Sequence, residues 1–435
     1  MSAKADLLIK AKNITTLDPA RDFVEKDLCI AITGDTISYI GKADGAPDAT
    51  NTIDYKDHWV MPGLINAHTH LPMTLLRGFS DDVPLKDWLE KHIFPAEGRL
   101  VSPEFCRLGS KIAALEAMLS GTTTVCDMYY FEPDIADVMD QSGMKAFLGQ
   151  SFIDFPAPDN KKQDGNDYKL LEELIERYGS HSRIHPVVAP HAPYTCGDET
   201  LKATAAFAKK HNLLYSIHVS ETDFEMKQSQ EQYGMTPVAR LQKLGVFETR
   251  SVFAHCVHVT DDDIKIMAKS PTAVIYNPES NMKLGSGAAR IRKMLDEGVL
   301  VGLGTDGCAS NNDLNMFGEM NTGAKLQKVS LADNAAITAK EMLIMATRDG
   351  AKALGLQDTG YLAVGKKADI ISVNLRHSNL QPVHDIPSLI YSVQGHEVQD
   401  VWIDGKQTVK DHKCLTIDQD AVFDELAHYR ERMDF

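Results

Sequence analysis

Two histidines two residues apart, His68 and His70, end the run Met61-Pro62-Gly63-Leu64-Ile65-Asn66-Ala67-His68-Thr69-His70. The apolar stretch ahead of them, interrupted by Pro62-Gly63, predicts a short buried strand. Alternate side chains of a strand share a face, so both imidazoles project to one side. Imidazole is the commonest metal ligand in proteins, and two on one face supply half of a four-coordinate site. A pair of surface histidines at a strand end would explain the spacing equally well. Only distant partners can decide.

Those partners emerge where later apolar segments stop. His191 follows Ile184–Ala189, His218 lies in Leu214–Val219, His255 follows Ser251–Ala254, and Asp306 follows Leu300–Gly304. Any one of these is more often a hydrogen-bonding residue at a strand end than a ligand. A whole set ending strands of one sheet is hard to produce that way. Grouped around one cation, His68, His70, His218 and Asp306 offer three imidazoles and a carboxylate, a set suited to Zn2+ and also to Fe2+. Such an ion makes a water nucleophilic at neutral pH. No lysine ends the fourth strand to bridge a second ion, so a single divalent ion is expected.

The elements that must position these residues alternate. From about residue 60, apolar strands (Leu64 onward, then Thr122–Cys126, Lys145–Gly149, Ile184–Ala189, Leu214–Val219, Ser251–Ala254, Thr272–Tyr276 and Leu300–Gly304) are separated by helical or crossover-length segments. Nearly continuous apolar strands with helices between them argue for a parallel sheet covered on both faces. Eight of them argue for a closed (β/α)8 TIM barrel, whose active site lies at the C-terminal strand ends. An open doubly wound sheet is the rival, but no Gly-x-Gly-x-x-Gly turn supports it. The chain ends have a different texture, with strands at Asp6–Ala11, Asp27–Thr33 and Thr36–Ile40 and again at Asp369–Val373 and Val398–Ile403. The predicted fold is therefore α/β: a barrel over residues 60–361 beside a small β-sandwich composed of residues 1–59 and 362–435.

Composition narrows the partners. A formal net charge of −16 argues against nucleic acid. No run approaches 18 apolar residues and the N-terminus has no signal-like apolar stretch, so neither a membrane span nor secretion is expected. Seven cysteines without a Cys-x-x-Cys pair read as reduced thiols in a cytoplasmic protein.

The motif around His68 and His70, together with His218-Val219-Ser220-Glu221, Ala254-His255-Cys256 and Gly304-Thr305-Asp306-Gly307, resembles the amidohydrolase superfamily. More narrowly, the chain is similar to the aminohydrolase branch containing 5′-methylthioadenosine/S-adenosylhomocysteine deaminases and triazine hydrolases. Gly360–Ile370 also resembles that branch, so the likeness covers nearly the whole chain. It implies hydrolytic deamination of an adenosine-type nucleoside. The chemistry fits the residues: Glu221, three residues past His218, can carry a proton to and from a ring nitrogen. His255 can hold the attacking water, and Asp306 can pass the water's proton to ammonia. An amine leaving group needs that proton whereas chloride does not, which favours deamination over dechlorination.

The resemblance also implies that the segment Trp88–Glu97 is the loop holding the ribose, with Glu97 accepting from its hydroxyls. His191 would contact sugar or base, and Trp88 would wall the pocket. Asn277–Leu284 resembles the family too, without individual roles. S-adenosylhomocysteine users of the branch place arginines after the third strand; here residues 152–168 hold Lys161 and Lys162 but no arginine. Lysine lacks the bidentate fork, so weaker use of S-adenosylhomocysteine is expected. Barrels of this family commonly self-associate, and a homo-oligomer is expected on that ground alone. The alternatives are an aminohydrolase of guanine, a pterin or a triazine, and a non-catalytic barrel scaffold.

Overall fold

The computed structural model describes residues 4–83 and 85–431. The first strands, Ala5–Ile14 (β1), Glu25–Thr33 (β2), Thr36–Gly41 (β3) and Ala49–Pro62 (β4), run directly into the barrel. The barrel strands are Leu64–His70 (β5), Thr122–Tyr129 (β6), Lys145–Phe152 (β7), Ile184–Pro190 (β8), Leu214–Val219 (β9), Ser251–His255 (β10) and Thr272–Tyr276 (β11). The eighth staves are Leu300–Leu303 (β12) and Asp306–Gly307 (β13). All pair in parallel in the order β12-β11-β10-β9-β8-β7-β6-β5-β13. Because β12 and β13 are one strand interrupted at Gly304-Thr305, the order closes on itself: β12 pairs with β11 and β13 with β5. The expected eight-stranded barrel is present. Its last strand is broken where it reaches the site.

Apolar side chains from seven strands (Ile65, Cys126, Phe147, Val187, Leu214, Val252 and Ile275) join in one buried cluster, which fills the lumen. Helices cover the outside. The helix Pro103–Leu119 starts as its sequence dictates, with Ser102 accepting from Phe105 N–H and Pro103 placed where no hydrogen bond is lost.

The chain ends build one sheet, since Ile370–Asn374 (β14), Val398–Ile403 (β15), Lys406–Lys410 (β16) and Lys413–Cys414 (β17) extend it from β4. Strand alternation splits its residues between two cores. Trp59, Met61, Ile371, Val401 and Ile403 join the cluster shared with the barrel helices, while Val60, Ile370 and Trp402 join Ile9, Ile30 and Ile32 in a core internal to the sheet. Strands far apart in the order meet there because the sheet bends over itself, as a sandwich. The strand β4 reaches Pro62, beyond the expected boundary at residue 59. The terminal helix Gln419–Arg430 leaves the sheet and packs on the barrel helix, with Lys111 bonded to Glu425 and the Phe105 and Tyr429 rings 6.5 Å apart. All seven cysteines are free thiols. Among the described residues no helix is long and apolar enough to cross a membrane.

One buried ionic cluster ties sheet to barrel. Lys145, at the start of β7 and only 4% exposed, contacts Asp369 and lies 2.7 Å from Asp404. Asp369 also accepts from Thr359 and from Asp404 N–H, the latter at 2.9 Å. Removing the ammonium leaves Asp369 and Asp404 without their ion-pair partner, with only the more distant Lys367 charge acting on Asp404. Lys145→Ala is expected to lower unfolding free energy by about 3–5 kcal/mol in urea titration.

Candidate metal centre and active site

The strand ends deliver their side chains to one point. Donor atoms of His68, His70, His218 and Asp306 all lie within 4.8 Å of one another. His68 and His70 come from β5, where the ladder to β6 shifts register between Asn66 and Thr69, a bulge of the kind found beside active sites. His218 comes from β9. Asp306 arrives on β13, whose pairing puts it opposite Thr69 and Gly307 opposite His70. A Cβ on Gly304 would sit 2.9 Å from the His68 backbone nitrogen, so only glycine lets the broken strand approach this closely. Asn66 bridges the break, donating to Thr305 Oγ1 at 2.7 Å and accepting from Thr305 N–H at 3.0 Å.

The imidazoles are held in a ligand-ready tautomer. His70 Nδ1 donates to the Met128 carbonyl at 2.6 Å and His218 Nδ1 to the His191 carbonyl at 2.7 Å. The Nε2 atoms of these two residues face each other at 3.3 Å, a separation that a proton or a cation must mediate. His68 Nε2 is buried without a hydrogen bond, 3.3 Å from Asp306 Oδ1. Asp306 turns Oδ2 to the hydroxyls of Ser280 (2.6 Å) and Ser310 (2.8 Å), leaving Oδ1 near His68 and His70. Burial keeps His68 neutral, lowering it to about 4, and holds His218 well below the usual histidine range. Burial opposes ionisation of Asp306, but His68 and His70 hold it well below the usual carboxylate range. His70 differs: burial opposes its charge, but Asp306, 3.1 Å away, raises it to about 9, so it shares a proton with that carboxylate. A divalent cation bound here takes the place of that proton, and backbone carbonyls on the far ring nitrogens orient the imidazoles.

Two further groups flank this cluster. Burial lowers His255 to about 4, and Asn281 donates to its Nδ1 at 2.9 Å, which leaves the proton on Nε2. Glu221 Oε2 lies 3.9 Å from that Nε2, too far for a direct hydrogen bond. The carboxyl of Glu221 accepts from Ser286 Oγ at 3.1 Å, and burial pushes it up to about 8, so it carries a proton at neutral pH.

A cleft opens over these groups, lined also by Trp88, Glu97, Tyr129, His191 and Tyr194. Every residue singled out in the sequence for the site thus borders one space or the cluster beneath it. Glu97 is buried, accepts from Tyr129 Oη at 2.8 Å and is raised by burial to about 7. His191 Nδ1 bonds Thr195 Oγ1 at 2.9 Å.

The segment expected as a ribose-binding loop is helical instead, a π turn over Trp88–Ile93 leading into the helix Phe94–Leu100. Pro95 has no N–H to give its upstream carbonyl, and the register slips so that Phe94 N–H reaches Leu89 O. Sequence reading singled out Asn277–Leu284 without roles. The structure gives Ser280 to Asp306 and Asn281 to His255. Ser310, Asn66 and Tyr129 had no signal beyond lying near a strand end.

The comparisons agree with this geometry. A sequence profile of the amidohydrolase family matches residues 59–408. The chain belongs to the amidohydrolase family. It is 41% identical over 432 residues to a protein of Syntrophobacter fumaroxidans named 5-methylthioadenosine/S-adenosylhomocysteine deaminase, covering 98% of each chain. It is 40% identical to a 5′-deoxyadenosine deaminase of Methanosarcina mazei, over 99% of this chain and 98% of that one. The crystal structure of an adenosine deaminase from Xanthomonas campestris with bound zinc superposes with a TM-score of 0.95 at 36% identity, covering 99% of this chain and 98% of that one.

The amides of Asn281 and Asn277 both donate to His255 Nδ1, at 2.9 Å and 3.4 Å. With Asn281→Asp and Asn277→Asp combined, both donors become acceptors, and the His255 proton should move to Nδ1. The 15N shifts of the His255 ring nitrogens, read in labelled protein, are expected to exchange their protonated and unprotonated positions.

Proposed function

We propose that this protein is a metal-dependent hydrolytic deaminase of adenosine-type nucleosides, with 5′-methylthioadenosine, 5′-deoxyadenosine and adenosine as substrates and S-adenosylhomocysteine as a weaker one. The observation that carries the reading is the buried Glu221 facing His255 beside the His68/His70/His218/Asp306 cluster. The names of the relatives support it. These four residues would hold one divalent ion, with Zn2+ favoured by the donor set. Bound there, the ion supplies the Lewis acidity that makes a water nucleophilic at neutral pH.

The chain's own residues handle position and protons. His255 donates from Nε2 to the attacking oxygen and holds it in line. Glu221 gives its proton to the ring nitrogen beside the amine-bearing carbon as the new carbon–oxygen bond forms. Asp306 takes a proton from that oxygen and passes it to the amino group. The carbon–nitrogen bond then breaks, ammonia leaves, and Glu221 recovers a proton from the remaining hydroxyl. Glu97 accepts from the vicinal hydroxyls of ribose, while His191 and Trp88 bound the nucleoside.

The 5′ group would point outward. Beyond the cleft lies a wider chamber that shares Leu85, Leu89, Phe94, Tyr194 and Glu221 with it and adds Phe155, Phe224 and the polar Glu90, Thr195 and Gln228. Lys86 is the one basic residue among the described residues of its lining, and its ammonium sits over the Phe224 ring at 4.9 Å. Lys161 and Lys162 are exposed and line neither space. Without an arginine fork on that lining, the carboxylate of an amino-acid substituent is held less firmly, which is the ground for placing S-adenosylhomocysteine below the thioether.

Ammonia release over a panel of nucleosides, free bases and triazines tests the assignment. Higher kcat/KM is expected for 5′-methylthioadenosine than for S-adenosylhomocysteine, and the reverse order contradicts the chamber argument. Glu221→Gln is expected to lower kcat by about 10²–10⁴-fold with metal content intact. Loss of the ion in that variant would make Glu221 structural. Because the acid form of Glu221 is the working form, kcat/KM should fall as pH rises through about 8. A profile flat through pH 10 would remove Glu221 as the donor.

A further inference from the structure

Glu221 lies outside β9, on a turn that needs restraint. Ser220, between His218-Val219 and Glu221, has φ +52, a left-handed conformation that costs a residue with a Cβ. The helix Asp223–Tyr233 begins just beyond, with Thr222 as its N-cap accepting from Glu225 N–H at 3.2 Å.

Thr222-x-x-Glu225 is the pattern of a capping box, in which the acidic side chain reaches back to the N–H of the capping residue itself. Two other helices follow that rule. Thr260 with Asp263 and Thr338 with Glu341 both close the reciprocal pair. Glu225 does not. Its Oε2 accepts the backbone N–H of Glu221 at 2.9 Å, one residue upstream of the cap. The side chain is buried, and no solvent competes for it. From the other side, the Ser220 carbonyl accepts from His258 N–H at 2.9 Å. The turn is gripped on both its donor and its acceptor edges.

We propose that Glu225 is a positioning residue for Glu221. It diverts a helix-capping carboxyl group to the turn that aims the proton-carrying group at the substrate ring. This rests on the role given to Glu221 in the deaminase reading. Without the carboxyl oxygen, the Glu221 N–H loses its buried acceptor and the turn relaxes away from the left-handed conformation at Ser220. Glu221 then moves relative to the ring nitrogen, whereas Glu97, the wall residues and the His68/His70/His218/Asp306 cluster stay in place. The loss falls on kcat and leaves KM and metal content alone.

The test uses the metal-loaded, full-length enzyme with whichever nucleoside the wild type deaminates fastest. Glu225→Ala is expected to lower kcat about 10- to 100-fold, the scale of a misplacement near 1 Å, with KM within about twofold. Glu225→Gln keeps an acceptor oxygen at the same reach and should recover most of the rate. Glu225→Asp keeps the carboxyl group and a good helix start but is one methylene short, so it should resemble the Ala variant. It serves also if the Ala variant does not fold. Thr222→Ala removes the cap while sparing the grip on the turn, and should lower the Tm with kcat unchanged. Unchanged kcat in the Asp variant, or parallel losses in kcat and metal content, would overturn the proposal. A wild type that deaminates no nucleoside would instead defeat the deaminase reading.

Discussion

The site depends on a pairing of two residues. The strand β13 consists of Asp306 and Gly307 alone, and its register against β5 sets Asp306 beside Thr69 and Gly307 beside His70. This ladder closes the barrel. It also carries a carboxylate from one end of the barrel sequence to the two imidazoles at the other. The approach is possible because Gly304 presents no Cβ to His68, and it is held because Asn66 satisfies the Thr305 backbone across the break. Fold closure and donor assembly are one event. A register slip there would scatter the donors as well as open the sheet.

Burial then supplies chemistry that the residue types alone do not. Withdrawal from water disfavours charge, so the same cause keeps His68, His218 and His255 neutral and leaves Glu221 protonated. Neutral imidazoles are donors, and a protonated carboxyl is an acid, which is the division of labour a hydrolytic deamination needs. The exceptions are Asp306 and His70, whose mutual contact keeps the carboxyl ionised and raises the imidazole to about 9. The backbone reflects the demands on these positions. Ser220, His255 and Asp306, none of them glycine, all take positive φ just where strands end and side chains must turn over the mouth of the barrel.

Outside the reacting groups stands a layer of short polar side chains with defined duties. Ser280 and Ser310 occupy one oxygen of Asp306, and Asn281 and Asn277 set the tautomer of His255. These come from the segments after β11 and β13, neighbours around the ring. Adjacent loops of a barrel share one rim, so each can support residues delivered by the next.

Much of this was legible in the chain. The run lengths and apolar character of the eight strands are local properties, and so are the residues at which they stop; both follow from side-chain periodicity and needed no knowledge of distant contacts. From them came the barrel, the β-texture of the two ends and the convergence of His68, His70, His218, His255 and Asp306 on one rim. What could not be read was every feature created by contact between distant segments. The segment Trp88–Glu97 looked like a loop, but Pro95 inside a packed helix shifts the hydrogen-bond register rather than ending the helix. Asn277–Leu284 was recognisable as a motif, yet an amide becomes a tautomer selector only when an imidazole from another strand is 2.9 Å away. Glu225 carries a local capping signal that the tertiary structure overrides, because the turn after β9 brings the Glu221 N–H to 2.9 Å from its carboxyl. Periodicity is written residue by residue along the chain, whereas hydrogen-bond partnership and burial are decided only when the barrel closes.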